Sequence, residues 1–385
     1  MAQEIWEFVS SACGVLAVGE PAHLEGGHRR VRNEMFAALV ARGFRSIALE
    51  SDRVAGLAVD DFVRGGAGGL DAVMGGGFSH GFGDLVENRG LVAWMREYNE
   101  GLPPQERLAF HGFDAPMEMM SAPSPRRYLE HARDYLGLDL DLTSLLGDDE
   151  RWSRTEALLD AAASPGATPG ADRLHALADD MLNTLYTRAP ELIATSSRAA
   201  WLRAETHLAA GLGLLRYHRQ AALHGEAGAR WTRMCATRDA LMARNLLDIR
   251  RVEAPRGATL VFAHNLHLQR SPSHMRMGDM DVDWSGAGAI VAPLLGERYA
   301  FVAGSLGRSD ALHLADPGAD TFEGALRDRV PSWGLVAPAE IPPARTRTDT
   351  TPEQGYFPLD RATVDTADAI LHISDGATAA SGPSR

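Results

Sequence analysis

Two short segments, far apart in the chain, constrain its fold more than any other feature. Residues 16–23 and 260–267 each begin as a short apolar stretch typical of a buried strand and continue directly into ionisable side chains. Glu20 and His23 follow the first stretch, and His264 and His267 follow the second. Because ligands collect at the carboxyl ends of strands in open α/β sheets, the two segments predict one shared site. This pattern is typical of an enzyme.

Strands and helices alternate at the start of the chain. Strands are predicted over residues 13–18, 44–49 and 108–114, and helices over residues 30–41 and 91–98. Further strands are predicted at residues 259–263, 289–291, 299–303 and 369–373. Between them, residues 126–252 contain only amphipathic stretches of helical type. The pattern predicts an α/β protein with a central, mostly parallel sheet, flanking helices and a large helical insertion.

This order of elements divides the chain into four parts. Residues 1–125 and 253–373 are predicted to form the two parts of an α/β catalytic core. The helical insertion, residues 126–252, is predicted to act as a cap or lid over the site. Residues 374–385 are mostly small and polar, and they are predicted to form a disordered tail.

Composition and charge exclude several classes of function. The chain has 38 basic and 51 acidic residues, a formal charge of −13 and no basic run, so nucleic acid is not expected as a partner. Every basic residue is Arg, which excludes a Schiff base or a P-loop Lys. Cys13 and Cys235 are expected to be reduced thiols. No signal peptide and no membrane-spanning run is evident, so we expect a cytoplasmic protein that binds a small molecule and no membrane.

A series of motifs occurs in order along the chain. The motifs are Gly19-Glu20 with His23 and Arg32; the strand ending in Glu50; Trp94 to Asn99; Gly112-Phe113-Asp114; Arg238-Asp239; Ala263 to His267; and Met277-Gly278. With these motifs, spread over about residues 14–310, the chain resembles the erythromycin esterase family.

The resemblance implies a carboxylic ester hydrolase that opens a macrolide lactone by attack of water and needs no cofactor. It assigns the role of general base to His23. It also implies that Glu20, Glu50 and Arg32 shape the site and that His264 and His267 line it from the opposite side.

The chemistry of these side chains agrees with that assignment. A neutral imidazole can take a proton from water near pH 7, and a neighbouring carboxylate, Glu20 or Glu50, can fix its tautomer. The developing oxyanion needs hydrogen-bond donors, for which Arg32 and protonated His264 or His267 are the candidates. No Gly-x-Ser-x-Gly nucleophile elbow follows a predicted strand and a Cys nucleophile is not expected, so a single-step hydrolysis without a covalent intermediate is expected.

Four further side chains are predicted to contact substrate. His80 lies in a glycine-rich stretch that resembles a mobile loop, and Asp114 ends a predicted strand. Where the family places an acidic residue after the motif His, this chain has Gly27, and Glu25 and His28 are additions. The changed rim predicts the same class of chemistry on a molecule other than erythromycin.

Structural roles are the alternatives for several of these residues. Asp114 is equally well explained as a turn residue before Pro116. Arg32 has the alternative of a salt bridge with Glu34 or Asp52. Arg238 and Asp239 are interpreted as residues on a helix face rather than as catalysts.

Alternatives also remain for the reaction itself. A divalent metal is the alternative to a cofactor-free site, with Glu20, His23, Glu50, His264 and His267 as its ligands. The favoured function is lactone or ester hydrolysis, either in antibiotic resistance or in secondary metabolite biosynthesis. The second is a non-hydrolytic tailoring enzyme, namely a cyclase, lyase or acyl-transfer catalyst. The third is a metabolite-binding immunity protein on the same fold.

Overall fold

A seven-stranded sheet forms the centre of the protein in the computed structural model, which describes residues 5–118 and 120–377. Its strands are β1 (Val15–Glu20), β2 (Phe44–Asp52), β3 (Ala109–Asp114), β4 (Ala258–His264), β7 (Tyr299–Arg308), β8 (Trp333–Val336) and β9 (Ala369–Asp375). β5 (Ser273–Met277) and β6 (Met280–Trp284) form a separate antiparallel hairpin. The strand order is β3-β2-β4-β1-β7-β9-β8, and all neighbours are parallel except β8 and β9. The predicted α/β class with a mostly parallel sheet is confirmed.

Helices cover both faces of this sheet and build the insertion. Those before the insertion are α1 (Gly26–Val40), α2 (Gly56–Val63), α3 (Leu70–Gly76) and α4 (Val86–Asn99). The insertion contains α5 (Arg126–Leu136), α6 (Thr143–Leu146), α7 (Glu150–Ser153), α8 (Glu156–Leu159), α9 (Pro169–Thr187), α10 (Ala189–Thr195), α11 (Arg198–Ala221) and α12 (Ala227–Glu253). After it come α13 (Asn265–Leu268), α14 (Ala287–Leu295), α15 (Phe322–Arg327) and α16 (Arg361–Thr366).

β1 contributes to the hydrophobic core on both faces of the sheet. Leu16 and Val18 pack in the cluster that contains α1 and α4, whereas Val15 and Ala17 pack in the cluster that contains α12 and α14. This is the two-residue alternation of a strand that is covered on both sides. The continuous apolar run before Glu20 therefore reflects complete burial of the strand.

The chain creates a crevice where β1 and β4 lie side by side. From β1 it crosses through α1 to β2 on one side, and from β4 it crosses through α14 to β7 on the other side. Neighbouring parallel strands whose connections diverge in this way leave an open crevice at their carboxyl ends. Glu20 and His264 are direct register partners at that edge. The two segments that were predicted to share a site therefore end side by side at this edge.

The helical insertion has a hydrophobic core of its own. Leu129, Ala178 and Leu208 pack there from α5, α9 and α11. Among residues 126–253, all of which are described, no strand occurs. The last helix, α12, differs from the rest because Met242, Leu246 and Ile249 pack on the sheet. α12 therefore belongs to the insertion in sequence and to the core in space.

Three elements differ from the sequence prediction. The strand predicted at residues 289–291 is wrong, since this stretch lies in α14; a short apolar run suits a buried helix as well as a buried strand. The hairpin of β5 and β6 was missed, although its alternating residues flank a two-residue turn with Gly278 at φ +59°. β8 was also missed.

Other predictions concern the termini, the thiols and the membrane. Of the predicted disordered tail, residues 378–385 lie outside the described part of the chain, whereas Ser374 and Asp375 complete β9. Cys13 and Cys235 are both free thiols, as expected. No helix in the described ranges is long and apolar enough to cross a membrane.

We predict that two buried histidines make the fold acid-sensitive. Burial lowers the pKa of both His28 and His372 from 6.5 to about 3. Below pH 6.5 the unfolded chain therefore binds more protons than the folded protein, so the free energy of unfolding falls as the pH falls from about 6.5 towards 3. Each histidine contributes about 1.4 kcal/mol per pH unit to this loss.

Urea unfolding at pH 7 and pH 4.5 measures the effect, with His372→Asn as the variant. Asn can retain the hydrogen bond of 3.0 Å that the His372 ring makes with the Ser305 hydroxyl. The variant should lose less stability between the two pH values than the wild type does. Equal losses would contradict the assignment.

Candidate active site

His23 is fixed by a carboxylate from the end of its own strand. Its Nδ1 lies 2.9 Å from Glu20 Oε1, and Arg29 donates to the His23 carbonyl and lies 3.5 Å from Glu20 Oε2. A carboxylate can only accept, so Nδ1 carries the proton and Nε2 keeps its lone pair. The His23 side chain is 36% exposed, whereas Glu20 is buried. The result is an accessible imidazole base held in one tautomer.

The second segment brings His264 and His267 to the same edge. His264 ends β4, and its ring centroid lies 5.2 Å from that of His23. Asn265 turns inward and bonds both backbone groups of Gly304 in β7. A Cβ on Gly19 would lie 2.0 Å from the Asn265 side-chain oxygen, so this position requires glycine. Gly19 and Asn265 therefore fit together beneath the histidines.

Glu50 is the buried carboxylate at the centre of the site. Its Oε2 accepts a hydrogen bond of 2.8 Å from the His264 backbone N–H. Its Oε1 lies 3.3 Å from His267 Nε2, 3.3 Å from Arg238 Nη2 and 3.9 Å from His23 Nε2. Burial alone would raise the pKa of Glu50, but His267, His23 and Arg238 hold it well below its usual value.

Arg238 and Asp239 belong to the site, contrary to their interpretation as helix-face residues. Arg238 pairs with Asp114 at 2.5 Å as well as with Glu50. Asp239 Oδ1 lies 2.8 Å from His267 Nδ1, and its Oδ2 accepts from the Trp284 indole at 2.7 Å. The Arg-Asp motif was the available signal, but the sequence did not show that this part of α12 lies against the strand ends.

The three histidines have separate protonation states. Burial would lower the pKa of His267, but Asp239 and Glu50 outweigh it and raise the pKa to about 10, so this ring is a cation at neutral pH. Burial and the neighbouring His23 lower the pKa of His264 to about 3, so that ring is neutral. Burial also opposes protonation of His23, but Glu50 and Glu20 together raise its pKa above 6.5.

The neutral His264 offers a hydrogen-bond donor. Its Nδ1 accepts from the Leu266 N–H at 3.2 Å, so the ring proton is on Nε2. Nε2 is buried and makes no hydrogen bond within the described residues. His264 is therefore neutral in the structure, and not protonated as was expected for a donor from the sequence.

These groups form one wall of a cavity of about 160 Å³. The polar wall consists of His23, Glu50, Glu118, Arg238, Asp239, His264 and His267. The opposite wall is apolar and comes from α11, α12, α13, the hairpin and the segment before α16. Its large side chains are Tyr217, Trp231, Leu266, Met275, Met277, Trp284 and Phe357. The cavity is thus polar at the strand ends and apolar beneath the insertion and hairpin.

Three predicted residues lie beside the cavity without lining it. The Arg32 guanidinium is buried, donates to the Asn33 side chain at 2.7 and 3.0 Å and lies over the Phe262 ring. Asp114, which is fully buried, anchors Arg238 and lies 3.0 Å from His80 Nε2. The other nitrogen of His80 lies 2.8 Å from Glu118. Arg32 faces a smaller adjoining cavity, and Arg29, which the sequence analysis missed, contacts Glu20 instead.

Glu25 and His28 lie away from the cavity. Glu25 caps α1 by accepting from the Gly27 N–H at 3.1 Å, and it also accepts from the Ser309 hydroxyl at 2.5 Å. The His28 ring is fully buried near the backbone of Ser305 and Leu371. Glu25 therefore caps α1, and neither Glu25 nor His28 forms a rim of this cavity.

The donor atoms proposed for a metal are engaged with one another. His23 Nδ1 faces Glu20, and His267 lies between Asp239 and Glu50. Across the described ranges, no group of three or more His, Cys, Asp or Glu side chains has an arrangement suited to a metal ion.

Comparisons with known proteins identify relatives of the chain. A model of the erythromycin esterase family matches residues 40–376, which includes the C-terminal part that the motifs left uncovered. A search of curated proteins gives no match.

Solved structures share the fold at low sequence identity. A Bacillus cereus protein is 14% identical, with a TM-score of 0.69 and coverage of 97% of this chain and 91% of that one. A mutant of the erythromycin esterase EreC in its open conformation is 18% identical, with a TM-score of 0.67 and coverage of 97% and 93%. A succinoglycan biosynthesis protein is 14% identical, with a TM-score of 0.68 and coverage of 97% and 90%.

Glu25 and Glu20 should respond differently to mutation. Glu25→Ala removes a helix cap and should lower the free energy of unfolding by about 1–3 kcal/mol. It should leave the titration of the His23 ring unchanged, whereas Glu20→Gln should shift that titration to lower pH. Histidine side-chain NMR and urea unfolding measure the two effects. A shifted His23 titration in Glu25→Ala would contradict the placement of Glu25.

Proposed function

The chain belongs to the erythromycin esterase family, and from this membership we propose that it hydrolyses an ester or lactone by attack of a water molecule that His23 activates. Membership of the family indicates a hydrolase. The observation that carries the finer proposal is the pairing of His23 with Glu20, which leaves Nε2 free as a base on the cavity side. The proposed substrate is a macrolide lactone or a related secondary metabolite, because the wall opposite the base is apolar and aromatic.

The nucleophilic water is proposed to lie between His23 and Glu50. The 3.9 Å between His23 Nε2 and Glu50 Oε1 allows one water molecule to hydrogen-bond to both atoms. Glu50 orients the water, and His23 removes its proton as the oxygen attacks the acyl carbon. His267 and Arg238 act indirectly, since their positive charges keep Glu50 ionised.

The carbonyl oxygen receives the electron pair of the C=O bond during this attack. The His264 Nε2–H is the donor proposed to stabilise the resulting oxyanion, because it has no other partner among the described residues. When the tetrahedral intermediate collapses, the bond to the alkoxide oxygen breaks, and protonated His23 gives its proton to that oxygen. The products are a carboxylic acid and an alcohol, which remain joined when the substrate is a lactone.

The proposed reaction uses no cofactor. The hydrogen bonds that engage His23, His264 and His267 support this part of the proposal, since each ring already has a defined role. The sequence argument for a non-hydrolytic enzyme was the changed rim, and that argument is weakened because Glu25 and His28 lie away from the cavity.

Mass spectrometry in oxygen-18 water tests the function. The purified protein is incubated with macrolides, simpler lactones and aryl esters, with and without a chelator, beside His23→Ala and the control His274→Ala. His274 is an exposed histidine on the outer face of the hairpin. We expect a gain of one labelled water that requires His23, is retained in His274→Ala and is unaffected by chelator.

Other outcomes would overturn the proposal. Loss of turnover with chelator would overturn the cofactor-free mechanism. A product that gains no water would indicate the tailoring alternative, and binding without any product would indicate a metabolite-binding protein. Full activity in His23→Ala would exclude His23 as the base.

The pH dependence of kcat/KM should reflect the separate histidine states. The base must be neutral, so activity should fall as the pH drops through the His23 pKa, which lies above 6.5. Activity should fall again near pH 10, where His267 loses its proton. Glu20→Gln should move the acid limb to lower pH, because Glu20 raises the His23 pKa. An unmoved acid limb would show that another group is the base.

A further inference from the structure

Asp239 accepts three hydrogen bonds from three different elements. Its Oδ1 lies 2.8 Å from His267 Nδ1 and accepts from the Ala287 N–H at 2.8 Å, and its Oδ2 accepts from Trp284 Nε1 at 2.7 Å. Asp239 is 1% exposed. A backbone N–H and an indole N–H can only donate, so the geometry requires the carboxylate as acceptor. Asp239 is thus a buried anion whose partners are all donors.

These contacts fix the direction in which the second ring nitrogen of His267, Nε2, carries its proton. With Nδ1–H directed at Asp239, Nε2 faces Glu50 Oε1 at 3.3 Å. Two carboxylates on opposite sides of one ring favour the imidazolium, which then donates from both nitrogens. Rotation of the ring would break one of these bonds within a buried site, where an unpaired charge is costly.

The Asp239 carboxylate also connects His267 to the apolar wall of the cavity. Trp284 lines the apolar side of the cavity and ends the hairpin, while Ala287 begins α14. One carboxylate therefore holds together a charged ring next to Glu50 and an aromatic ring that contacts the cavity.

We propose that Asp239 is a positioning residue. It orients the His267 ring towards Glu50 and couples this orientation to the position of Trp284 on the apolar wall of the cavity. This inference rests on the proposed hydrolytic function, and it extends that function to a residue that does not touch the reacting atoms. Loss of Asp239 should leave Glu50 without a fixed imidazolium neighbour, with Arg238 still in place, and should affect turnover more than binding.

Other charged and titratable groups also face His267. The nearest are Glu50 from β2 and Arg238 from α12, which contacts Glu50. At longer range they are His23, which follows β1, and His264 at the end of β4. Among the described residues, only Asp239 contacts Nδ1. A change in the His267 titration on removal of the Asp239 charge therefore reports the contact itself.

The experiment compares Asp239→Asn with Asp281→Asn in the full chain. Asp281 is an exposed carboxylate on β6 and serves as the matched control. Histidine side-chain NMR, with the His267 signal assigned by its loss in His267→Asn, measures the titration without any substrate. In Asp239→Asn we expect the His267 midpoint to fall by more than about one pH unit. The control should match the wild type.

Kinetics provide the second readout on any ester that the wild type hydrolyses. Asp239→Asn should lower kcat by about 100-fold or more and change KM by less than about threefold, as expected when a carboxylate that orients a site histidine is removed. An unchanged His267 titration in a folded Asp239→Asn protein would overturn the proposal. If the wild type hydrolyses nothing, the proposed function fails, yet the NMR titration still decides the role of Asp239.

Trp284→Phe keeps the proposal testable if Asp239→Asn does not fold. The variant retains an aromatic ring in the wall but removes the indole donor to Asp239. We expect kcat to fall by about 3- to 10-fold with little change in KM, because one such hydrogen bond contributes about 1 kcal/mol. A kcat equal to that of the wild type would overturn the coupling of Trp284 to His267.

Discussion

The buried negative charge of Glu50 is the interaction on which the rest of the site depends. A carboxylate removed from water is costly unless charges and hydrogen bonds compensate it. Here the compensation comes from the His264 N–H on β4, from His267 in the following turn and from Arg238 on α12. The strand β2, which precedes the insertion, therefore meets residues that follow the insertion and also its last helix. The packing of α12 on the sheet therefore also helps to compensate the buried charge of Glu50.

The same charge distribution gives the three histidine side chains of the site different protonation states. His23, His264 and His267 lie within one small site, yet burial dominates for His264 while flanking carboxylates dominate for His267. Separation of pKa values by local environment is how one site provides a base, a neutral donor and a fixed cation at one pH. His23 is the proposed base because it alone of the three is about one-third exposed.

The sequence predicted the half of the site that lies at strand ends and missed the half on a helix. Glu20, Glu50 and His264 could be found because buried parallel strands have continuous apolar runs, and their carboxyl ends must share an edge. Arg238 and Asp239 could not be placed in this way, since an amphipathic pattern gives the faces of a helix but not its neighbours. Glu25 and His28 were misplaced because proximity to a motif in sequence does not show on which side of α1 a side chain lies.

The two walls of the cavity differ in how freely they can change. Every polar group on the strand side is held by at least one partner that another element supplies, so a change there disturbs several charges at once. The apolar wall is built from methionine, leucine and aromatic side chains, which tolerate substitution while keeping an apolar surface. Substrate preference can therefore diverge within this fold through the hairpin and the insertion while the strand ends keep their chemistry. Trp284 is the exception on that wall, because its hydrogen bond to Asp239 ties it to the charged side.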